Sequence, residues 1–413
     1  SAVHVEMLDG EPVLRLYTLQ RGLVGFNLVS GRAFDSVDSE SVYAVAERFV
    51  RTRYPQQQII AEDVIHNDQW TVYGSYDPHR PLSRFALDDD EGTQFYVSSR
   101  SGEVVQVTTF DQRLWGYLGA VIHWIYPTSL RQNPPLWTQV VIWLSLIGVF
   151  LTVTGIYIGI RQFRFRTSGK MSPYRGMALW HHYAGLVFGV FTLTWIFSGL
   201  LSMNPLGALS GEGAGLENQR LSRGPLAWSD IEPVLANLET AELPDGTVLL
   251  EIYPLAASAA VTANMSDVSK QRLDASSLKA SDVSTGELRS LAERLQPTST
   301  SVSAEIQTGG DAYYFAHHEP VEFPVYRVIM ADAQNRRYYL SATDGRLLQK
   351  VDDGRRWYRW LFEGLHRLDF TAQMRSRPLW DIFMVLLLIG VTGVCGTGTW
   401  MGWKSLSGKK RSV

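Results

Sequence analysis

Cysteine is almost absent from this sequence, since Cys395 is the single one among 413 residues. One cysteine excludes an internal disulfide, a thiolate metal cluster and the C-x-x-C-H motif that attaches c-type haem. The formal net charge is only -3 at pH 7, so nothing in the overall charge indicates nucleic-acid binding. No G-x-G-x-x-G motif is present, so any pyridine nucleotide would have to act through another protein.

The sequence is rich in long apolar stretches. Hydrophobic residues make up 45% of the chain, and it contains 13 tryptophans. Three windows reach the roughly 20 residues that a membrane-spanning helix needs. They are 136–160, 177–203 and 379–403, and only the last contains a charged residue, Asp381. These windows predict three transmembrane helices, because uncharged apolar runs of this length are rare in soluble folds.

Positive charge predicts how these helices are oriented. The loop 161–176 and the tail 404–413 are rich in Lys and Arg and contain no acidic residue. Both are therefore expected to be cytoplasmic. Residues 1–112 and 205–356 then lie on the other side, in the periplasm, which predicts a multi-pass protein of a bacterial inner membrane. Because residue 1 would lie outside, a further transmembrane helix is expected before it.

An internal repeat supports this expectation. Residues 95–160 align without a gap on residues 338–403, a shift of 243, with 15 of 66 positions identical. The shared residues include Thr154-Gly155 with Thr397-Gly398, and His123 with His366. The second copy follows the 177–203 window and a polar segment, whereas only a polar segment precedes the first. The sequence thus predicts a duplicated order of helix, domain and helix.

Both polar segments show mixed helix and strand patterns. Helical apolar spacing and cap candidates predict helices at 39–54 and 281–295. Period-two or β-rich runs predict strands at 12–19, 22–30, 69–76, 94–107, 312–317, 325–332 and 336–349. The Ser-rich stretch 265–284 is predicted to be an exposed loop.

Two motifs resemble a known family when they are taken together. The hairpins "YVSSRSGEVV" and "YLSATDGRLL" and the helix "WHHYAGLVFGVFTLTWIFSGLL" are similar to those of the PepSY-associated transmembrane (PepSY-TM) family. The resemblance covers most of the chain. It implies a membrane α-helical bundle with two periplasmic α+β PepSY-like domains and an internal duplication. It also implies b-type haem, because this family includes haem-containing ferric-siderophore reductases of the inner membrane.

Histidines are the candidate functional residues. His181 and His182 lie near the cytoplasmic end of the 177–203 helix. His123 and His366 each lie 14 residues before the Trp that opens the next span. Their surroundings, 113–130 and 357–370, are predicted to be amphipathic helices at the periplasmic surface. Ionisable residues at a membrane are functional candidates, although a single boundary histidine is often only hydrogen-bonded.

Neutral imidazoles from two helices can hold one haem iron between them. We therefore expect two b-type haems. His123 and His366, which are equivalent in the repeat, are the expected ligands of a periplasmic-side haem. His181 is the expected ligand of a second haem, with its partner on the expected additional helix. The family motif favours His181 over His182, which could instead bond a haem propionate or a neighbouring helix.

Charged residues near these histidines have more than one interpretation. The arginines that flank the periplasmic-side site suit haem propionates or lipid head groups equally well; they are Arg131, Arg367, Arg375 and Arg377. The stretch "HHEPVEF" brings together His317, His318, Glu319 and Glu322. These are metal-ligating residue types, but their spacing matches no strong signature, so a solvated loop is expected.

The expected function is transmembrane electron transfer by a haem b oxidoreductase. Electrons would enter from a cytoplasmic or membrane donor, such as a reduced flavin or quinol. They would leave to a periplasmic acceptor, which the family resemblance implies is a ferric siderophore or another ferric chelate. Two alternatives remain. A non-redox PepSY protein would bind peptides or regulate a partner, and a repeat-containing transporter would want a buried charge near mid-membrane.

Overall fold

The computed structural model describes residues 2–18, 22–164, 171–222, 224–256, 258–316 and 320–407. The chain forms two compact units. The first, here called the sheet unit, consists of Ser1–Trp137, Gly213–Gly309 and Pro320–Lys350. The second, the helix unit, consists of Thr138–Glu212, Gly310–Glu319 and Val351–Val413.

The strands of the described residues are numbered in chain order. They are β1 Val3–Leu8, β2 Glu11–Thr18, β3 Gly22–Asn27, β4 Ala33–Phe34, β5 Ile59–Ile65, β6 Leu82–Leu87, β7 Gln94–Ser98, β8 Val104–Thr108, β9 Thr247–Leu255, β10 Ser258–Met265, β11 Lys270–Leu273, β12 Ser301–Gln307, β13 Val325–Met330, β14 Arg337–Ser341 and β15 Leu347–Val351.

The α-helices are α1 Ser39–Arg53, α2 Phe110–Gly116, α3 Thr128–Arg131, α4 Pro134–Gln162, α5 Met177–Ser202, α6 Gly215–Ser222, α7 Trp228–Asn237, α8 Thr285–Leu295, α9 Asp353–Tyr358, α10 Leu365–Arg367 and α11 Leu379–Ser407. Two π-helical segments, Tyr117–Val121 and Arg359–Gly364, continue α2 and α9. Short 3₁₀ helices are Gly74–His79, Pro205–Gly207 and Gln373–Arg375.

A seven-stranded antiparallel sheet joins the two polar segments of the sequence. Its order is β11-β10-β9-β1-β2-β3-β4. The junction is the pairing of β1 with β9, in which Val3 lies opposite Ile252. The helix α7 covers one face of this sheet, where Ile231 and Val234 pack with Val5 and Ile252 in a buried apolar cluster.

The predicted fold class, a membrane α-helical bundle with two periplasmic α+β PepSY-like domains, is therefore wrong. The described residues form a mixed fold with three antiparallel sheets and three helices of membrane-spanning length. The two predicted domains share one sheet through β1 and β9. Apolar periodicity predicts where strands lie but not which strands pair over about 250 residues, and this limit accounts for the error.

The other two sheets are a structural duplication. Their orders are β5-β6-β7-β8 and β12-β13-β14-β15. One helix covers each: α1 packs Val42, Ala46 and Val50 on the first sheet, and α8 packs a leucine-rich face on the second. Side-chain caps start both helices, from Asp38 and Ser284. The i, i+4, i+8 spacing in α1 places one apolar stripe toward the sheet.

Both duplicated hairpins contact the seven-stranded sheet through charged pairs. Arg15, His4 and Glu251 lie directly opposite one another on adjacent strands. Arg15 is 4% exposed and lies 3.8 Å from Glu103, which follows the turn residue Gly102. Glu251 lies 2.7 Å from Arg346, which follows the equivalent Gly345. The residue after the turn glycine is thus acidic in the first copy and basic in the second.

Three helices, α4, α5 and α11, are long and apolar enough to cross a membrane. They contain the three windows that the sequence predicts as spans, and the chain is a membrane protein on this basis. Their lengths, 26 to 29 residues, exceed the roughly 20 residues that a bilayer requires. Residues 165–170 of the basic loop and 408–413 of the basic tail lie outside the described residues.

Acid should destabilise the contacts of the hairpins with the seven-stranded sheet. Desolvation opposes ionisation of Glu251, but hydrogen bonds and charge from His4 and Arg346 lower its pKa to about 2. Desolvation also opposes ionisation of Glu103, but hydrogen bonds with His79 and Ser101 and the charge of Arg15 lower its pKa to about 2. A carboxylate with a lowered pKa stabilises the fold at pH values above the usual carboxylate pKa of 4.5. This contribution is lost as the pH falls toward 2.

We therefore expect the unfolding temperature of the detergent-purified chain to fall between pH 4.5 and 2.5. Glu251→Gln should lose stability at neutral pH and show a flatter decline in acid, because the titrating carboxylate is gone. Substitution of the exposed Glu239 by Gln is the control and should follow the parent protein. Parallel declines in the parent and Glu251→Gln would contradict this assignment.

Candidate functional site

The helix unit contains a cavity of about 700 Å³ bounded by α4, α5 and α11. Its lining is almost entirely apolar, and His181 and His182 are its histidines. Pockets for cofactors are often found between the helices of bundles and span roughly 300–1,000 Å³. The cavity therefore has the position, size and chemistry of a site for an apolar ligand.

Glycines leave space on the walls of this cavity. A Cβ atom added at Gly155 or Gly185 would meet no atom within 4 Å beyond the local helix backbone. Both residues line the cavity. At Gly159 and Gly189, by contrast, a Cβ would contact Leu186 or Ile156 at 3.3 and 3.0 Å. Some of these glycines thus permit close helix packing, while Gly155 and Gly185 keep the cavity open.

His181 is held by α11. Its Nδ1 lies 2.9 Å from the Oγ1 of Thr397. A Cβ at Gly398 would lie only 3.2 Å from the His181 Cε1, so glycine at this position makes room for the ring. Among the described residues, no hydrogen-bond partner is present for the His181 Nε2. That nitrogen is available to a ligand.

His182 has a different role. Its Nε2 lies 2.8 Å from the backbone carbonyl oxygen of Gly159, and its Nδ1 lies 2.8 Å from the Oγ of Ser172. The ring is buried and stacks near Tyr183 and Tyr174. Both ring nitrogens are committed to protein partners, so His182 connects α5 to α4 and to the chain before α5.

His366 lies at the other end of α5. Its Nδ1 is 2.9 Å from the Oγ of Ser198, and its ring centroid is 5.4 Å from that of Phe362. Ser198 follows His181 by 17 positions on one continuous helix, so the two histidine sites lie about 25 Å apart along the α5 axis.

His123 belongs to the sheet unit. It is exposed, yet desolvation by surrounding atoms lowers its pKa, which favours the neutral imidazole. The predicted pairing of His123 with His366 on one iron stays a prediction, because the two residues belong to different units.

The local structure around His123 and His366 is nevertheless the same. Each follows a π-helical segment, a feature frequently found at functional sites. Two residues later the chain adopts a left-handed conformation, at Ile125 with φ 52° and at Leu368 with φ 54°. Bulky residues rarely adopt this conformation, so the surrounding structure must hold it in place.

A tryptophan fixes each of these helix ends. The indole nitrogen of Trp137 donates to the carbonyl oxygens of Trp124 and Ile125, and that of Trp380 donates to the carbonyl oxygen of Arg367. These bonds satisfy carbonyl groups that a helix leaves unpaired at its C-terminus.

The predicted arginines have protein partners of their own. The Arg131 guanidinium lies 4.5 Å from the ring centroid of Trp137 and 5.5 Å from that of Tyr73. Arg377 lies 3.6 Å from Asp381. Arg375 lies over Phe315 at 3.9 Å, and one of its guanidinium nitrogens is buried without a hydrogen bond. The carbonyl of Arg367 accepts from Trp380.

Other candidates contribute less. His317, His318 and Glu319 lie outside the described residues. Within the described ranges, no group of three or more His, Cys, Asp or Glu side chains could hold a metal ion.

Sequence reasoning missed Thr397, Ser198 and Gly398 as contacts of the candidate histidines. The repeat does mark Thr397 and Gly398, since both match identical residues in the first copy, Thr154 and Gly155. No sequence signal marks Ser198, because one hydroxyl in an apolar helix is usual.

Comparison with known proteins identifies the family. The family model described as the PepSY-associated TM region matches residues 22–405, a range that includes all four candidate histidines. No curated protein matched the chain. With nearly its whole length matched, the chain belongs to the PepSY-associated TM region family.

Proposed function

We propose that the chain is a haem b oxidoreductase of the bacterial inner membrane. It passes electrons from a donor on the cytoplasmic side, a reduced flavin or quinol, to a ferric chelate such as a ferric siderophore in the periplasm. The observation that carries this proposal is the position of His181. It lines an apolar cavity between three membrane-length helices, with one ring nitrogen bonded and the other available.

The residues present fit a haem. An available imidazole nitrogen is an axial ligand of b-type haem, and His181 supplies one. The apolar walls and the open space at Gly155 and Gly185 suit the faces and edges of a macrocycle. A hydrogen-bonded Nε2 or a filled cavity would have argued against this cofactor.

Each residue has a definite task in this proposal. A b-type haem supplies one-electron oxidation and reduction at its iron. His181 would hold the haem through Nε2 while Thr397 orients its ring, and the apolar side chains of α4, α5 and α11 would exclude water. His182 secures α5 against α4 through the Gly159 carbonyl and does not ligate.

The second haem is assigned to His366. Ser198 and Phe362 orient the His366 ring. The two sites at opposite ends of α5 match a protein that moves electrons from one membrane face to the other. Each ferric chelate gains one electron and becomes ferrous, while a quinol or reduced flavin gives up two electrons and two protons. No side chain needs to transfer a proton to the iron chelate.

Substitution of His181 tests the cofactor directly. The purified full-length protein should show the absorption bands of b-type haem, quantified as the pyridine haemochrome. His181→Ala should lose one haem equivalent, because the axial ligand is gone. His182→Gln should keep its haem content but unfold at a lower temperature, because its two hydrogen bonds are weakened.

These paired variants distinguish ligation from packing. Equal loss of haem in both variants would indicate a general collapse of α5 and contradict the assignment of His181. A colourless parent protein would reject the redox function and favour a peptide-binding membrane protein.

Filling the cavity should exclude the haem without touching a ligand. Gly185→Leu places a large side chain where no atom lies nearby at present, so it should fold and lose the haem at the His181 site. Gly402→Leu on α11 is the matched control, since its Cβ would also meet nothing but it does not line the cavity. Normal haem content in Gly185→Leu would place the cofactor elsewhere.

The acceptor class can be tested with the reduced protein. Dithionite-reduced protein, freed of excess reductant, should reoxidise when it is mixed with a ferric chelate. One ferrous ion should form per haem, measured with a chromogenic chelator specific for ferrous iron. A reduced haem that stays reduced in the presence of several ferric chelates would reject this acceptor class.

A further inference from the structure

We infer that two helix hydroxyls, those of Thr397 and Ser198, act as positioning residues that set the tautomer of His181 and His366. Each hydroxyl is bound to a carbonyl of its own helix and therefore accepts the Nδ1–H of the histidine, which leaves Nε2 unprotonated. The inference rests on the proposed function for its purpose, since an unprotonated Nε2 is the form that ligates iron.

The geometry at Thr397 carries the first step. Its Oγ1 lies 2.7 Å from the carbonyl oxygen of Gly393 and 3.0 Å from that of Val394. A hydroxyl has one proton to donate, and these carbonyls can only accept. With this proton donated to a carbonyl, the hydroxyl oxygen is the acceptor in the 2.9 Å contact with the His181 Nδ1, and the imidazole donates.

The alternative tautomer would be poorly satisfied. If Nε2 carried the proton, it would direct an N–H group at an apolar cavity, with no partner among the described residues. An unpaired polar group in such surroundings costs about 1–3 kcal/mol. The Nδ1–H tautomer pairs the Nδ1–H group with the threonine oxygen and leaves Nε2 as an unpaired acceptor rather than an unpaired donor, so it is the favoured form of His181.

The neighbouring histidine provides a contrast within the same helix turn. The His182 Nε2 faces the carbonyl oxygen of Gly159, which can only accept, so this nitrogen carries the proton. Its Nδ1 then accepts from the Ser172 hydroxyl. Two adjacent histidines thus have opposite tautomers, and only His181 offers Nε2 as a ligand.

Ser198 repeats the arrangement at the other end of α5. Its Oγ lies 3.1 Å from the carbonyl oxygen of Trp195 and 2.9 Å from the His366 Nδ1. The serine is fully buried. Donation to the Trp195 carbonyl makes it an acceptor for His366, as Thr397 is for His181. Partners of this kind commonly orient metal-ligating histidines and are important for metal affinity.

Nitrogen NMR of the full-length chain in lipid nanodiscs tests the inference before any haem is bound. The protein is produced under haem limitation with ¹⁵N-labelled histidine, and the His181 signals are identified by their loss in His181→Gln. We expect His181 to show a protonated Nδ1 and an unprotonated Nε2, and His182 to show the reverse. A His181 that is protonated on Nε2 would overturn the inference.

Variants at position 397 test the cause. Thr397→Val removes the acceptor and should shift His181 toward the Nε2–H tautomer, whereas Thr397→Ser should retain the parent pattern. Thr399→Val is the control, because Thr399 bonds its own helix in the same way, to the Cys395 carbonyl, and contacts no histidine. An unchanged His181 tautomer in Thr397→Val would also overturn the inference.

Haem-loaded protein gives an independent measurement. Thr397→Val should lower haem affinity by about 10- to 100-fold, and it should raise the midpoint potential because a less basic imidazole stabilises ferric iron less well. Ser198→Ala should have the same effects on the second haem, with Ser202→Ala as its control on α5. The expected tautomer in a chain that binds no haem would reject the proposed function while supporting the positioning of His181.

Discussion

The pairing of hydroxyl and imidazole groups inside apolar helices shapes how the helix unit is arranged. Thr152, Thr192 and Thr397 each bond a carbonyl of their own helix, and so does Ser198. His182 uses both ring nitrogens to connect elements. His181 is different, because one of its nitrogens has no partner among the described residues and the ring lines a cavity. An unsatisfied imidazole in such surroundings is costly unless a ligand completes it, and this cost is why the site indicates a function.

The positions of the three membrane-length helices could be predicted from the sequence, because length and lack of charge are sufficient signals. The hairpins β7–β8 and β14–β15 could also be predicted, since Gly102 and Gly345 occupy turns with positive φ. The pairing of β1 with β9 could not, because strand partners distant in sequence leave no local pattern. The strands that were also missed are β1, β4, β5, β6, β9, β10, β11 and β12. Of these, β11 lies within the stretch predicted to be a loop.

Two predicted strands, 69–76 and 312–317, are wrong, since the described residues 69–76 and 312–316 form no strand. Alternating aromatic residues give both a strand-like pattern. In the structure, Val72 packs instead with Val121 and Tyr126, beside the helix end after His123. In the second copy, Phe315 lies under Arg359 and Arg375, and Tyr313 contacts Trp360. The aromatic residues therefore bury the segments around His123 and His366, and the hydrophobic effect acts here through tertiary packing that a local pattern cannot distinguish from a sheet.

The repeat also separates the requirements of packing from those of the candidate site. Thr397 and Gly398 on α11 hold the His181 ring. Their equivalents on α4 are Thr154 and Gly155, and the Thr154 hydroxyl keeps the same bonds to carbonyls of its own helix. A Cβ at Gly155 would meet nothing, so packing within the described residues does not require glycine there. Glycine costs about 1 kcal/mol relative to alanine inside a helix. Packing therefore does not explain the cost of the glycine on α4. The equivalent Thr-Gly pair on α11 holds an imidazole, so placement of a histidine explains this pair better than helix packing does.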